Sequence, residues 1–274
     1  MASPYDLVDL GDLKSWLDVA GTDDDVLLGQ LITQISRAIL NILDRPSIRP
    51  CTYTEILDGG NDTSILLRHW PVNALLSCCV NGVAIQSSPP LVAGATAQAG
   101  FVLDPADFAP PGRMQRLSLR GRVFTRCLQN VVISYSAGYQ ITGETALVPS
   151  APFNVIAQVP FGAWGSDCGV TYADGTKFQT VAANPAEGQY SVAGGLYTFS
   201  GSDAGASIFL TYGYVPADLS ACCMDWAAER YSYRARIGQQ SKSMGGQETM
   251  SFIVKNIPDF VVSALQAYRR VVQP

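Results

Sequence analysis

The side chains able to do chemistry are few and scattered. His69, in LLRHWP, is the sole histidine of a 274-residue chain, so paired-histidine metal sites and multi-histidine proton relays are excluded. Beside Trp70 at the end of an apolar run it reads as a surface or structural residue. A Ser-His-Asp triad would need a nucleophile elbow of the GxSxG type, which the sequence lacks. Asp23-Asp24-Asp25 raises the question of a metal-binding carboxylate cluster. Calcium loops alternate their oxygen ligands and add a downstream Glu, and neither is present here. The run is better placed at the start of a helix, where Thr22 can accept from the Asp25 amide and the acids meet the positive end of the dipole. Four of the seven cysteines form the adjacent pairs Cys78-Cys79 and Cys222-Cys223. Neighbours in sequence point to different faces of a strand or helix, and no CxxC occurs, so these read as small buried hydrophobes. No catalytic residue, metal or cofactor is expected, and no enzyme.

Residues 113–126, RMQRLSLRGRVFTR, carry five Arg and no acid. Arg113, Arg116, Arg120 and Arg122 could meet phosphate, and the alternation of Arg116, Leu117, Ser118, Leu119 and Arg120 predicts a strand with one polar and one packed face. Sequence-specific nucleic-acid binding would show a basic balance or aromatics beside the charges. The net charge is −5 and the pI about 4.8, which leaves only transient contact with DNA. The charge is unevenly spread. Residues 1–44 hold eight Asp against Lys14 and Arg37, so an acidic head faces basic later segments, a pattern suited to docking against copies of the chain or a charged partner. Ordinary solvated faces are the alternative. Tyr172, Tyr190, Tyr197, Phe199 and Trp164 could form a sugar-binding platform or simply a β core.

The elements that must position these groups follow from periodicity. A first helix near 9–19 places Leu10, Leu13, Trp16 and Leu17 on one face. A second, roughly 23–44, repeats Leu28, Leu31, Ile32, Ile35, Ile39 and Ile42 at helical spacing and stops at Arg45-Pro46. CTYTEIL (51–57) and SILLRHW (64–70) flank DGGNDT, a hairpin signal, and ALLSCCV (74–80) runs into the Asn81-Gly82 turn. Residues 86–100 read as a surface loop. A helix after Pro216 carries Leu219, Cys222, Cys223, Trp226 and Tyr233, with Asp218 near its start and Arg230, Arg234 and Arg236 near its end. A Gln/Ser/Gly-rich loop holding an apolar SFIV segment then leads to a helix over 258–270. No stretch approaches the run of about 20 apolar residues that crosses a membrane, and the first residues lack the pattern of a signal peptide. A protein kept in a cytoplasm is expected.

VVISYSAGY (131–139) and SIFLTYGY (207–214) write nearly the same strand ending twice. Between them, 141–211 is poor in charge and rich in Gly, with short aromatic strands and the corners Asp174-Gly175 and Gly194-Gly195. An inserted β-sandwich-like domain at 141–211 explains both observations. The division is then 1–140, 141–211 and 212–274. The fold class is α+β: a helical connector core of about four helices plus a small antiparallel β portion, with the inserted all-β domain.

The flanks resemble the head-tail connector, or adaptor, proteins of tailed bacteriophages. The matching stretches are LGDLKSWLDVAGTDDDVLLGQLITQISRAILNILDRP, TYTEILDGG, LLRHWPV, VISYSAGY, VPADLSACCMDWAAERYSYRARIG, SKSMGGQETMSF and IPDFVVSALQAYRRVV, in the family's order. The resemblance implies a non-enzymatic virion protein at the neck, assembled in the host bacterial cytoplasm. Copies form a ring, typically of twelve, under the portal. The ring extends the DNA channel used in packaging and ejection and offers a surface to the next neck or tail component. Phe252, Ile253 and Val254, apolar within a polar loop, are expected to dock on the portal, with Tyr268, Arg269 and Arg270 as neighbouring contacts. Asp23, Asp24 and Asp25 and the arginines of 113–122 are expected between subunits or at the channel. The competing class is an accessory structural protein whose insert binds a glycan or receptor.

Overall fold

The structure, a computed structural model, describes residues 3–89, 91–94, 96–104, 114–234, 241–244, 248–251 and 257–270. The chain divides into two compact units, Met1–Pro46 with Pro216–Arg269, and Ser47–Val215 with Arg270–Pro274.

The first unit is helical. α1 (Leu10–Leu17) buries Leu13 and ends on Asp18 in the left-handed conformation. α2 (Asp25–Leu43) buries Leu28, Ile32, Ile35, Ile39 and Leu43, one stripe at helical spacing, and ends on left-handed Asp44. By length and composition α2 is apolar enough to cross a membrane. Its stripe is instead consumed by packing on α1 and on α3 (Ala217–Tyr233), which brings Leu219, Cys222, Cys223, Trp226 and Ala227 into the same core. Polar bonds join the helices too. The Ser36 hydroxyl accepts the Leu7 N–H at 3.0 Å and lies 3.6 Å from Cys223 Sγ, while Ser220 donates to the Leu7 carbonyl at 3.2 Å. α4 (Asp259–Leu265) starts at Pro258, adds Val261 and Leu265 to the core, and passes into a tight turn over Gln266–Tyr268. Thr22 does not cap α2 with its side chain. Its carbonyl accepts the Asp25 N–H at 3.2 Å, and the acids turn to partners described below. Residues 241–251, expected as loop, include two strands paired antiparallel, Ser241–Met244 and Glu248–Ser251.

The second unit begins with β1 (Cys51–Gly59), β2 (Ser64–Leu66), β3 (Val72–Val80), β4 (Val83–Ala84), β5 (Gly100–Asp104), β6 (Arg116–Arg120) and β7 (Cys127–Ala137). They form two sheets, β1-β7-β3-β4 and β2-β6-β5, around Leu57, Leu67, Cys78, Leu117, Leu119, Val131, Ile133 and Tyr135. The expected hairpin over 51–70 does not form. β1 pairs with β7 and β2 with β6, so DGGNDT carries the chain from one sheet to the other. That passage is held by the Asn61 N–H donating to the Phe124 carbonyl at 2.8 Å and by Gly59 backing directly onto the Thr125 carbonyl. The Asn81-Gly82 turn between β3 and β4 has φ of 53° and 75°, as a type I′ turn requires.

The rest of this unit is β8 (Gln140–Leu147), β9 (Asn154–Ile156), β10 (Gly162–Tyr172), β11 (Gln179–Thr180), β12 (Gln189–Ala193), β13 (Leu196–Phe199) and β14 (Ser207–Pro216). Sheets β10-β14-β8 and β11-β12-β13-β9 share a core of Val148, Val155, Val170, Phe178, Tyr190, Tyr197, Phe199, Ile208, Leu210 and Tyr212.

The chain is therefore mostly β, and the expected helical connector core with a small β portion is overturned. Residues 51–137 alone supply seven strands in two sheets. Long apolar stripes announce helices strongly, whereas short strands broken by Gly, Pro and Asn announce themselves weakly.

The two repeated endings are β7 and β14. In each, a tyrosine hydroxyl donates to a glutamate on the antiparallel neighbour: Tyr135 to Glu55 of β1, and Tyr212 to Glu144 of β8. Each then closes on a buried tyrosine, and the rings of Tyr139 and Tyr214 meet edge to face at 5.7 Å. The Tyr214 N–H donates to the Tyr139 carbonyl and the Tyr139 N–H to the Ile48 carbonyl, both at 3.0 Å.

Candidate functional site

The chemistry of the described residues lies at surfaces. At the start of α2 the three expected acids part company. The Arg234 guanidinium, at 2.9 Å, and the Tyr231 hydroxyl, at 2.6 Å, both donate to Asp24 and hold its carboxyl below the usual carboxylate range. Arg234 also lies over the Tyr231 ring at 4.8 Å, and the Asp24 carboxylate pushes the Tyr231 hydroxyl up. Asp25 takes an ion pair from Lys14 at 2.6 Å. Asp23 is exposed. Asp24 and Asp25 thus tie α2 to α3 and α1.

Asp9, which caps the start of α1, and Asp12 and Trp16 on the helix recur at spacings of three and four and are all exposed. Trp16 was expected on the packed face with Leu13. Instead it is 58% exposed, while Leu13 is buried and Leu10 and Leu17 are half-buried. A Trp flanked by Asp on both sides of its helical face is the signal that could have shown this.

The arginines sit on β6 and the turn after it. Leu117 and Leu119 point into the core, and Arg116, Ser118 and Arg120 point away. Arg120 donates to Ser88 Oγ at 3.0 Å and to the Pro89 carbonyl at 2.8 Å, while Arg116 and Arg122 are exposed. On the same outer face, Leu66 of β2 and Asp104 of β5 flank Arg116 in register. Arg113 lies outside the described residues. Nearby, a cleft of about 870 Å³ is lined by Leu75, Leu91, Phe101, Leu103, Asp104 and Arg120.

Phe252, Ile253 and Val254 lie outside the described residues. Tyr268 donates to the Asp218 carboxylate at 2.5 Å, which ties the turn after α4 to the first turn of α3. Arg269 is exposed and Arg270 half-buried. The His69 ring stacks on Tyr53 at 3.8 Å, and the His69 backbone N–H donates to the Tyr135 hydroxyl at 3.1 Å. Among the described residues no His, Cys, Asp or Glu side chains gather in threes as metal ligands.

The aromatic platform does not materialise as a set. Tyr190, Tyr197 and Phe199 are buried in the sandwich core. The Tyr190 and Tyr197 hydroxyls donate to Asp167 at 2.5 and 3.2 Å, and Trp164 Nε1 donates to the Tyr197 oxygen at 3.4 Å. Tyr172 stacks on Phe178 at 3.9 Å and donates to Asp203 at 2.6 Å; burial, with Asp203 beside it, pushes its hydroxyl up to about 12. These rings build the core between the two sheets.

No protein-family model matches the chain, and no curated protein matches it in sequence. A chain in a solved structure, the neck of an empty GTA particle computed with C6 symmetry, is similar over 98% of this chain and 92% of that one. The identity is 14% and the TM-score 0.41, a likeness too remote to carry an argument.

Proposed function

We propose that the chain is a non-enzymatic structural protein of a phage-like virion neck, a head-tail connector whose copies form a ring beneath the portal. One observation carries the reading. Among the stretches resembling connectors, those at 10–46 and within 215–272 are far apart in sequence, and their described parts up to Arg269 belong to one helical unit. Shared burial of Leu28, Ile32, Leu219 and Cys223, with Asp24 bound to Tyr231 and Arg234, holds them together. Four of the seven resembling stretches thus fall in one unit, while those at 52–60, 66–72 and 132–139 belong to the β unit. Twelve copies, the portal and the next tail component are the partners this reading names, with passing DNA as a transient contact at the arginine face. Portal docking is assigned to Phe252, Ile253 and Val254, with Tyr268, Arg269 and Arg270 beside them.

Residues 141–211 are proposed as an inserted module. A glycan-binding role for it loses its motive, since Tyr190, Tyr197 and Phe199 are core.

The deciding experiment is the mass of the purified protein, alone and mixed with its portal, by native mass spectrometry. A ring, or a stoichiometric complex formed on the portal, is the expected result. A monomer indifferent to the portal overturns the proposal. Deleting 242–256 should abolish portal capture; unchanged capture removes the docking assignment.

A further inference from the structure

We infer that the exposed stripe Asp9–Asp12–Trp16 on α1 is one half of a contact between copies, and that the arginine-bearing outer face of the β2-β6-β5 sheet on the next copy is the other half. The inference rests on the ring reading and names the surfaces by which the ring closes.

Two features single out the stripe. Trp16 is an apolar ring 58% exposed on a helix whose other large side chains are at least half-buried. Tryptophan is costly to leave in water and is among the residues that most often anchor interfaces. It is also bordered by acids with no partner at home. Asp24 and Asp25 are neutralised within the unit, whereas among the described residues none forms an ion pair with Asp9, Asp12, Asp18 or Asp23.

The partner must therefore be positive and offer something flat to stack on. The outer face of β6 does both. Arg116 and Arg120 stand on one side of the strand, Arg122 follows in the turn, and the one acid in β2, β5 and β6 is Asp104. Arg120 is already oriented by Ser88 and Pro89. Leu66, 37% exposed, lies in register beside Arg116. An indole laid over Leu66 and the Arg116 guanidinium gains apolar burial and a cation–π contact, and Asp9 and Asp12 then reach Arg116 and Arg122. The two surfaces differ, so the contact is head-to-tail, the arrangement that closes into rings. Opposite charges give it orientation and a fast encounter.

The test uses the full chain. One variant carries Asp9→Lys and Asp12→Lys, a second carries Arg116→Glu and Arg122→Glu, and a third carries Trp16→Ala. Association is followed by sedimentation over a range of concentrations, with and without portal, and thermal melting checks that each monomer stays folded. Each variant alone should need at least about tenfold more protein to associate. An equimolar mixture of the first two should associate like the original chain, since every contact is complementary when the two variants alternate. Trp16 emission, taken as the difference between the original chain and Trp16→Phe at concentrations where both associate, should shift to shorter wavelength on association. Failure of the mixture to recover, or no effect of Trp16→Ala, overturns the pairing while leaving the ring intact. Loss of portal capture by Trp16→Ala with copy-to-copy association unchanged assigns the stripe to the portal and also overturns it. An original chain that never associates overturns the ring reading and this contact together.

Discussion

Tyr135 shows how much one hydroxyl holds. It donates to Glu55, whose residue is 5% exposed, and it accepts the His69 N–H. Tyr135→Phe leaves that carboxylate short of a donor, so denaturant unfolding should show a loss of about 1–3 kcal/mol. Burial first, and Glu55 second, raise the Tyr135 hydroxyl far above its ordinary range, and burial with Glu144 does the same for Tyr212. Raised groups favour the fold below their unfolded value of 10.0 and lose that contribution as pH climbs beyond it. Urea midpoints should therefore fall above pH 10, less steeply in Tyr135→Phe. Asp24 has the opposite sign. Its lowered value supports the fold above 3.8 and withdraws that support as pH falls through the lower folded value. The effect is small because the group is solvated, and Asp24→Asn should flatten it in acid melting curves. At this scale the sequence was half legible. The Asp23–Asp25 run marks the start of a helix, but Tyr231, which Asp24 binds, is 207 residues away, and no local pattern encodes that.

The long helices were readable because an apolar stripe repeats over many turns, and their burial follows it. The Asn81-Gly82 turn was readable because its chemistry is local. The 51–70 hairpin was misread for a physical reason: alternation tells where a strand lies but not which strand it joins, and β1 joins β7, some eighty residues on. Trp16 was misplaced because a helical wheel shows spacing without saying what the neighbours leave uncovered. A substitution belongs to this scale as well. Gly138, between β7 and β8, has φ of 139°, and a Cβ there would sit 2.5 Å from the Arg49 carbonyl carbon. Gly138→Ala should cost about 2 kcal/mol or more by thermal melting, because backbone rather than a flexible side chain must move. Gly143→Ala serves as the comparison, since its φ of 72° carries strain but no atom lies within 4 Å.

For the whole molecule, the proposed insertion of 141–211 between the repeated endings VVISYSAGY and SIFLTYGY can be tested by removal. A protein lacking 141–211, joined from Gln140 to Tyr212, keeps Tyr139 and Tyr214. It should still associate and be captured by the portal in the sedimentation experiment, and loss of association would tie the segment to the ring itself. The pairing of the Tyr139 and Tyr214 rings and backbones has a mechanical meaning. Because β8 leaves and β14 returns side by side, a pull on the module draws on two covalent strands at once and does not peel its sheet open from one end. Tension arriving along β14 passes straight into α3, and tension along β8 passes into β7. The Tyr139–Tyr214 pair is the clasp where these two lines meet.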